Sequence, residues 1–464
     1  MRGTLEELNK ALTVSMAEVH MTRDAAFEGV STDSRTVQAG ALFVALRGEI
    51  FDAHDFLDQV AARNVAAVVV EKLPESFPLP AMVVPDTLAA LGRIGNAWRS
   101  QFDIPVIGVT GSNGKTTVKE MIASILGAAF GEDARLATQG NLNNEIGVPL
   151  TVMRLTSAHK AAVVELGMNH PGEIARLAAI AAPTVALVNN AQREHQEFMH
   201  TVEAVARENG SVLAALPEGG VAVFPGDDEY TDLWRGLARG RDVLTFGLSD
   251  ACDVSATYTP DSFGAELEVT SSPRGNDDTF TIKLSAAGEH NVRNALAACA
   301  CALAAGISRD AIVRGLEAFA PVSGRLQRKQ AANGAIVIDD TYNANPDSVR
   351  AAIDVLAGAA APRILVLGDM GEVGTQGPQF HEEAASYAAS RGIESVLVTG
   401  ALARHMTGAG ARHFEQFDDL LAALDKQLGS KSEATVLVKG SRFMKMERVV
   451  QHLTASTNTG KEAH

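Results

Sequence analysis

The chain has 464 residues, of which 46% are hydrophobic and 5% aromatic, and it carries 41 glycines and a formal net charge of −16. This length predicts two to four domains, and this composition is typical of α/β proteins. Because so acidic a chain has no basic stripe, nucleic acid and anionic membranes are excluded as expected partners.

The sequence predicts a cytoplasmic protein. Residues 1–10 are charged and lack the apolar core of a signal peptide. The longest apolar run, Ala295–Ala305, is shorter than the roughly 20 residues that span a bilayer. The three cysteines, Cys252, Cys299 and Cys301, lack metal-ligand spacing and are expected to be buried thiols in a reducing compartment.

Residues 1–84 predict a small α/β unit, with strands at 41–46 and 66–70 and a helix that begins near His54. Within it, residues 31–35 place Ser31, Ser34 and Arg35 around a carboxylate. These groups could hydrogen-bond a uridine and its phosphates. Ordinary turn and capping chemistry uses the same residue types, and on the residues alone it is the favoured reading.

Asp86 is the predicted N-cap of a connecting helix over 87–102. A buried strand follows at 104–109, then a glycine-rich turn, then a helix over 118–130 with Gly-Lys-Thr at its start. This order is typical of a loop that holds a nucleotide's phosphates. A strict phosphate loop has glycine where Val109 stands, so the loop is a shortened variant. A plain tight turn is the alternative.

Each residue type in the loop suits phosphate binding. Gly111 and Gly114 can take positive φ and bring main-chain N–H groups to the anion. Lys115 would neutralise the β- and γ-phosphates, and the Thr116 hydroxyl would ligate Mg²⁺.

Strands and helices alternate from the loop to about residue 320, as in a parallel sheet. Strands are predicted at 161–164, 185–188 and 221–224, followed by a polar, strand-rich insertion over 254–284 with a hairpin loop at 271–278 and by a helix over 290–305. Residues 321–464 predict a smaller doubly wound sheet with strands at 335–338, 363–367, 395–398 and 435–438. The tail from Thr454 is predicted to be disordered.

Polar side chains that follow parallel strands are candidate site residues, because ligands bind beyond the carboxyl ends of such strands. Glu165 ends one strand and could join Thr116 on Mg²⁺, although it could also cap a turn. His195 follows the strand at 185–188, where a surface histidine is the alternative. Asn143 and Asn144 lie in an amide-rich loop that could orient a substrate carboxylate, with an asparagine turn as the competing account.

Two further clusters stand at strand or helix ends. Asn291 and Asn294 share one helix face and could read an adenine edge, whereas helix capping by Asn291 is the alternative. Asp340, Asn343 and Asn345 lie between a predicted strand and a predicted helix of the third unit, where paired acids beside two asparagines exceed what a turn requires.

In their order along the chain, these motifs resemble those of the ATP-dependent Mur ligases. The stretches that carry the resemblance span about residues 31–450 and are Thr110–Thr116, Ser31–Arg35, Leu42–Leu46, Asn143–Pro149, Asp339–Pro346, Leu367–Glu372 and Lys439–Arg442.

The resemblance implies an α/β fold of three domains. They are a small N-terminal domain for a uridine nucleotide (1–84), a central phosphate-loop ATPase with a parallel sheet (85–320) and a mobile, Rossmann-like C-terminal domain (321–464). It also implies a monomeric ligase that uses ATP and Mg²⁺ to join D-alanyl-D-alanine to UDP-N-acetylmuramoyl-tripeptide through an acyl phosphate. Neither nucleic acid nor membrane insertion is expected.

The resemblance also assigns roles to individual residues. Those expected at the nucleotide are Gly111, Ser112, Asn113, Gly114, Lys115, Thr116, Thr117, Asn291, Asn294, Arg325 and Asp340. Those expected at the metal are Thr116, Glu165 and His195, and the catalytic residues would be Lys115, Glu165, His195 and Arg325. Those expected at the two substrates that are joined, the UDP-linked peptide and D-alanyl-D-alanine, are Ser31, Ser34, Arg35, Asn143, Asn144, Asn343 and Asn345.

One position departs from the family pattern. Many relatives carry a lysine in the helix after the His195 loop, and this lysine is modified to a carbamate that helps place a second metal. Asn209 stands at that position here. Because a neutral amide cannot become a carbamate, a second metal would be held differently, with Glu208 as a candidate, or more weakly.

Overall fold

The computed structural model describes residues 1–48, 50–261, 263–272, 278–429 and 431–455. Most of the predicted hairpin loop at 271–278 and of the predicted disordered tail lies outside the described residues. Two small sheets near the N-terminus, a nine-stranded central sheet and a six-stranded C-terminal sheet make up the fold. The predicted α/β class is confirmed, and the domain boundaries at residues 84 and 320 stay predictions.

The N-terminal part forms a two-stranded antiparallel sheet and a five-stranded sheet of order β2-β7-β6-β5-β4. The strands β5 and β6 are buried throughout, as their apolar runs predict. The elements are β1 (Arg2–Thr4), α1 (Leu5–Thr13), β2 (His20–Met21), β3 (Ala26–Glu28), β4 (Val30–Ser31), β5 (Leu42–Val44), α2 (Leu57–Ala62), β6 (Ala67–Val70) and β7 (Ala81–Val83).

The connecting helix α3 (Thr87–Arg99) packs between the N-terminal and central parts. Asp86 caps it as predicted, because its Oδ1 accepts a hydrogen bond from the Ala89 N–H at 2.9 Å. The prediction that it runs to Phe102 is wrong. Arg99 donates instead to the Phe102 carbonyl at 2.6 Å and to the Ala181 carbonyl at 3.2 Å, which ends the helix against the central part.

The central sheet has the order β16-β15-β14-β13-β12-β11-β8-β10-β9. Its elements are β8 (Val106–Thr110), α4 (Lys115–Phe130), β9 (Arg135–Ala137), α5 (Gly147–Val152), β10 (Ala161–Glu165), α6 (Glu173–Ala181), β11 (Val185–Val188), α7 (Gln196–Met199), α8 (Val202–Ala214), β12 (Val221–Pro225), α9 (Thr231–Leu237), β13 (Asp242–Gly247), β14 (Val254–Asp261), β15 (Gly264–Ser271), β16 (Asp278–Leu284), α10 (Glu289–Ala304) and α11 (Arg309–Ala318).

The middle strands β8, β10 and β11 are parallel and buried on both faces. Helices α4, α10 and α11 cover one face, and α5, α6 and α8 cover the other. The predicted strands at 254–284 are present, but they are not an insertion. Because β14 pairs with β13 in parallel and with β15 in antiparallel fashion, they extend the same sheet.

The C-terminal sheet has the order β17-β18-β22-β19-β20-β21, and within the described residues only β17 is antiparallel to its neighbour. Two apolar cores, one on each face, confirm the predicted doubly wound sheet. The elements are β17 (Gln327–Gln330), β18 (Ile336–Asp340), α12 (Pro346–Ala357), β19 (Arg363–Leu367), α13 (Gly377–Ser390), β20 (Ser395–Thr399), β21 (Arg412–Phe414), α14 (Phe417–Leu428), β22 (Thr435–Lys439) and α15 (Glu447–Thr454).

Two remaining sequence expectations concern buried thiols and membrane spans. The three cysteines are free and buried, as predicted, and burial raises the pKa of the Cys299 thiol to about 12. Within the part of the chain that the structure describes, no helix combines the length and the apolar composition that crossing a membrane requires.

Candidate active site

The turn between β8 and α4 has the backbone of a phosphate loop. Gly111 and Gly114 have φ of 136° and 80°, values that side chains with a Cβ rarely adopt. A Cβ on Gly111 would lie 2.9 Å from the Cβ of Asn189, so the loop also packs too closely for any other residue. Helix α4 begins at Lys115, three residues earlier than predicted, which puts the partial positive charge of its N-terminus at the loop.

Lys115 folds back over this loop. Its Nζ donates to the main-chain carbonyls of Gly111 at 2.5 Å and Ser112 at 3.1 Å, and it lies 3.4 Å from Oε2 of Glu194. The ammonium group is therefore held where it can reach an anion on the loop.

Thr116 links the central sheet to the C-terminal part of the chain. Its hydroxyl donates to Oε1 of Glu165 at 3.2 Å and accepts from Nη2 of Arg325 at 2.9 Å. Asn143 also donates to Oε1 of Glu165, at 2.9 Å. The other oxygen of Glu165 is buried and has no hydrogen-bond partner among the described residues. A hydroxyl beside a carboxylate with a free buried oxygen suits a hard divalent cation such as Mg²⁺.

His195 is fixed from the C-terminal sheet. Its Nδ1 lies 2.7 Å from Oε2 of Glu372, and this contact lowers the pKa of the Glu372 carboxyl. Both residues have positive φ, 48° and 57°, a conformation that costs on the order of 1 kcal/mol for each non-glycine residue. Their geometry is therefore set by the surrounding structure rather than by local preference.

The predicted adenine residues lie in a buried amide network. Asn189 donates to Oδ1 of Asn294 at 2.9 Å, and Asn294 donates to Oδ1 of Asn291 at 3.0 Å. Asn291 then donates to the Ala287 carbonyl at 2.8 Å. Much of the hydrogen-bonding capacity of Asn291 and Asn294 is thus used inside the protein, although both line the cavity described below.

Asparagines from the two large sheets meet across the cavity. Asn345 caps α12 through the Ser348 N–H and also donates to Oδ1 of Asn113, in the phosphate loop, at 2.9 Å. Asn144 likewise accepts from the Gly147 N–H at 2.9 Å, at the start of α5.

A buried ion pair lies at the carboxyl end of the C-terminal sheet. Nζ of Lys439 lies 2.6 Å from Oδ2 of Asp340 and donates to the Asn343 carbonyl at 2.9 Å. Asp340 also accepts from the Leu326 N–H at 3.2 Å, beside Arg325, whose guanidinium stacks 4.1 Å from the centre of the Tyr342 ring.

Arg193 clamps the two sheets together. It approaches Asp347 through Nη2 at 2.7 Å, Glu383 through Nη1 at 3.0 Å, and the Phe380 ring at 5.3 Å from its centre. All three partners lie in the helices of the C-terminal sheet.

These groups surround one cavity of about 990 Å³ between the central and C-terminal sheets. The predicted residues that line it are Ser112, Asn113, Gly114, Lys115, Thr116, Thr117, Asn143, Asn144, Glu165, His195, Asn291, Asn294, Arg325, Asp340, Asn343 and Asn345. The volume is within the range of ligand sites that enclose a cofactor-sized molecule.

The predicted uridine residues lie outside that lining. Ser31 and Asp33 form a local turn, and the Arg35 guanidinium pairs with Asp33 at 2.8 Å. This pairing lowers the pKa of the Asp33 carboxyl to about 2. Ser31 thus ends β4, Ser34 and Arg35 lie in the turn that follows it, and none of the three lines the cavity at the phosphate loop.

The structure also shows what Asn209 and Glu208 contact. Asn209 is fully buried, and its Oδ1 accepts from the Thr110 hydroxyl at 2.6 Å. The Glu208 carboxylate accepts from the N–H groups of Gly172 and Ile174 at 2.8 and 2.9 Å, at the start of α6. Glu208 therefore has a structural role away from the cavity lining.

Sequence reasoning did not single out Asn189, Arg193, Glu194 or Glu372. All four follow a parallel strand or lie in a quoted motif, so the rule that polar residues cluster at carboxyl ends of strands could have found them. No group of three or more His, Cys, Asp or Glu side chains suited to hold a metal occurs within the described residues.

A phosphate loop on a parallel sheet that closes on a second sheet defines a nucleotide-binding protein of the phosphate-loop class. Comparison with known families is more specific. The description "Mur ligase family, catalytic domain" matches residues 26–99, "Mur ligase middle domain" matches 109–302, and "Mur ligase, glutamate ligase domain" matches 324–442. The chain belongs to the Mur ligase family.

Similar proteins cover the chain almost from end to end. UDP-N-acetylmuramoyl-tripeptide--D-alanyl-D-alanine ligase from Escherichia coli (strain K12) is 39% identical over 97% of this chain and 98% of its own. The enzyme of that name from Bacillus subtilis (strain 168) is 34% identical over 92% and 93%.

Solved structures agree with these relatives. MurF from Acinetobacter baumannii has a TM-score of 0.90 at 34% identity and covers 98% of this chain and 99% of its own. MurF ligase from Thermotoga maritima in complex with ADP has a TM-score of 0.83 at 27% identity, over 92% and 97%.

Proposed function

We propose that this chain is an ATP-dependent ligase that joins D-alanyl-D-alanine to UDP-N-acetylmuramoyl-tripeptide and releases ADP and phosphate. The names of its relatives support the substrates. One contact supports the chemistry, since Arg325 of the C-terminal part donates to the hydroxyl of Thr116 in the phosphate loop at 2.9 Å. The phosphate loop and the C-terminal sheet therefore share one site.

ATP is needed because a carboxylate is a poor target for an amine. Its negative charge repels the nucleophile, and oxide cannot leave. Transfer of the γ-phosphoryl group to a carboxylate oxygen releases ADP and forms an acyl phosphate. The D-alanyl-D-alanine amine then attacks the carbonyl carbon, loses a proton and expels phosphate, which carries away that carboxylate oxygen.

Lys115 and the α4 N-terminus provide positive charge where the phosphates would lie. Catalysis of phosphoryl transfer is mainly positioning and charge neutralisation. Lys115 already points into the loop, and Arg325 adds a second cation from the opposite sheet. Asn291 and Asn294 would stand on the adenine side, where their mutual hydrogen bonds fix the wall of the cavity.

Thr116 and Glu165 would hold Mg²⁺ beside the phosphates, and His195 would contact metal elsewhere in the same cavity. The free buried oxygen of Glu165 supports this placement, because such an oxygen is costly unless a cation occupies its neighbourhood. When bound, Mg²⁺ would neutralise charge on the phosphates during transfer.

The acceptor would lie across the N-terminal and central parts. Its uridine diphosphate would meet Ser31, Ser34 and Arg35, and its peptide end would pass Asn143 and Asn144 toward the phosphate loop. Asn343 and Asn345 would line the side from which D-alanyl-D-alanine enters. We place the reaction in the cytoplasm, where ATP is supplied, and we propose that the protein acts as a monomer.

A phosphate-release assay tests this function against its alternatives. The proposal predicts release only when ATP, the UDP-linked tripeptide and D-alanyl-D-alanine are all present. Release with another amino acid, or with a folate and glutamate, would identify a different ligase of the family. Nucleotide binding without release under any combination would indicate a nucleotide-gated switch instead.

A further inference from the structure

A buried carboxylate beside the phosphate loop has an oxygen with no protein partner. Glu194 is only 6% exposed, and its Oε1 makes no hydrogen bond within the described part of the chain. Its Oε2 lies 3.4 Å from Nζ of Lys115 and 3.8 Å from Nε2 of His195. All three side chains line the cavity. Because burial removes most of the water from this carboxylate, the site favours a cation.

We propose that Glu194 is a ligand of a second divalent cation, which binds together with the nucleotide and replaces Lys115 as the partner of this carboxylate. The inference rests on the proposed seating of ATP on the phosphate loop. It assigns to Glu194 the function for which Glu208 was a candidate, since Glu208 is engaged at the start of α6.

The contact between His195 and Glu372 orients the imidazole for this role. Oε2 of Glu372 lies 2.7 Å from Nδ1 of His195. This contact is electrostatic, because Nδ1 has no aligned hydrogen-bond partner among the described residues. A negative charge beside Nδ1 favours the tautomer that carries its proton there, which leaves the lone pair of Nε2 for a metal. Nε2 is the ring nitrogen that lies on the side of Glu194.

The distances allow one cation to contact both side chains. A Mg²⁺ ion about 2.1 Å from each of two ligand atoms can join atoms up to about 4.2 Å apart. In an octahedral site, adjacent ligand atoms lie about 3.0 Å apart and opposite ones about 4.2 Å apart. The 3.8 Å between Glu194 Oε2 and His195 Nε2 lies between these values, so a small rotation of the Glu194 side chain would complete the geometry. Two protein ligands suffice, because Mg²⁺ at nucleotide sites takes most of its remaining ligands from phosphate and water.

Exchange with Lys115 would couple the second cation to the nucleotide. Lys115 neutralises Glu194 while its Nζ also contacts the loop carbonyls. When a triphosphate draws Lys115 away, Glu194 loses its counter-ion, and the affinity of the pair Glu194 and His195 for a cation rises. By linkage, the cation raises the affinity for the nucleotide by the same factor.

Mn²⁺ binding, measured by electron paramagnetic resonance, tests the proposal without relying on activity. With a non-hydrolysable ATP analogue, the wild type should bind one more Mn²⁺ per chain than Glu194→Gln, or bind it at least about tenfold more tightly. Glu197→Gln, an exposed neighbour with the same change of charge, should bind like the wild type. Equal Mn²⁺ binding by the wild type and Glu194→Gln would overturn the proposal.

Lys115→Met provides an independent measurement on a different variant. Because this substitution removes the counter-ion of Glu194, it should bind an additional Mn²⁺ without nucleotide, whereas the wild type should not. No gain in Lys115→Met would refute the exchange, including in the case that Glu194→Gln does not fold. Calorimetric titration of the wild type with the ATP analogue distinguishes failure of the proposed function from failure of the role of Glu194. If the analogue does not bind, the proposed function is rejected. If the analogue binds but the wild type and Glu194→Gln bind the same number of Mn²⁺ ions with the same affinity, only the role of Glu194 is rejected.

Discussion

Arg193→Ala should weaken the closure of the C-terminal sheet over the phosphate loop. Arg193 follows β11 of the central sheet and places its guanidinium 2.7 Å from Asp347 and 3.0 Å from Glu383. The Arg193 main-chain N–H also donates to Asp347, at 2.8 Å, and this bond would survive the substitution. The variant thus removes the side-chain part of the clamp and leaves the backbone part.

The contacts set the size of the effect. Hydrogen bonds to charged groups contribute about 1.5–3 kcal/mol when buried. The Arg193 and Asp347 side chains are 26% and 23% exposed, so the lower end applies. A loss of about 1.5 kcal/mol shifts the equilibrium toward the open arrangement roughly tenfold. If only the closed arrangement reacts, kcat/KM should fall, with the same factor as the upper limit, which is reached when the open arrangement predominates.

Small-angle scattering and steady-state kinetics check this prediction together. Arg193→Ala should have a larger radius of gyration than the wild type and a kcat/KM that is lower by up to roughly tenfold. Arg350→Ala is the matched control, because Arg350 is exposed and stacks on Tyr387 within the C-terminal part. An Arg193→Ala variant with a wild-type scattering profile and wild-type kcat/KM would refute the clamp.

Three further outcomes are expected. Lys115→Ala should lose ATP turnover in the phosphate-release assay while it stays folded, with a somewhat lower thermal unfolding temperature because Glu194 loses its counter-ion. Near-normal turnover would argue against the phosphate loop. Added bicarbonate should leave the ligase rate unchanged, because Asn209 cannot form a carbamate and its Oδ1 accepts a hydrogen bond from the Thr110 hydroxyl. A marked rise in rate would contradict the alignment of Asn209 with the modified lysine. Burial lowers the pKa of the His381 imidazole. As the pH falls, this side chain is therefore protonated at a higher pH in the unfolded chain than in the folded protein. The contribution of the neutral, buried His381 to the free energy of unfolding is therefore complete above about pH 6.5 and is lost as the pH falls toward the lowered pKa. Denaturant titrations should show that the free energy of unfolding of His381→Gln falls less steeply with decreasing pH than that of the wild type.

Local sequence signals predicted the central part of the site well. The apolar strand before Gly111, the glycines and the helix that follows are all encoded within about two dozen residues, and short-range propensities decide them. The rule that ligands bind beyond the carboxyl ends of parallel strands also selected Glu165 and His195, and the structure brings both to the cavity.

Long-range contacts could not be predicted in this way. The hydrogen bond from Arg325 to Thr116 joins residues 209 positions apart, and that from Asn345 to Asn113 joins residues 232 apart. Such contacts depend on how one sheet docks on another, which neither periodicity nor capping signals encode. The carboxyl-end rule places Glu194 near the site, but its burial beside Lys115 is a long-range property that the sequence pattern does not encode.

The fate of a carboxylate oxygen tests the central claim most directly. UDP-N-acetylmuramoyl-tripeptide labelled with ¹⁸O in its terminal carboxylate should transfer one labelled oxygen to the released phosphate, because the acyl phosphate breaks between the carbonyl carbon and that oxygen. Mass spectrometry of the phosphate would detect the transfer. Formation of the peptide bond with unlabelled phosphate, or with the label in AMP, would contradict phosphoryl transfer from the loop at Lys115.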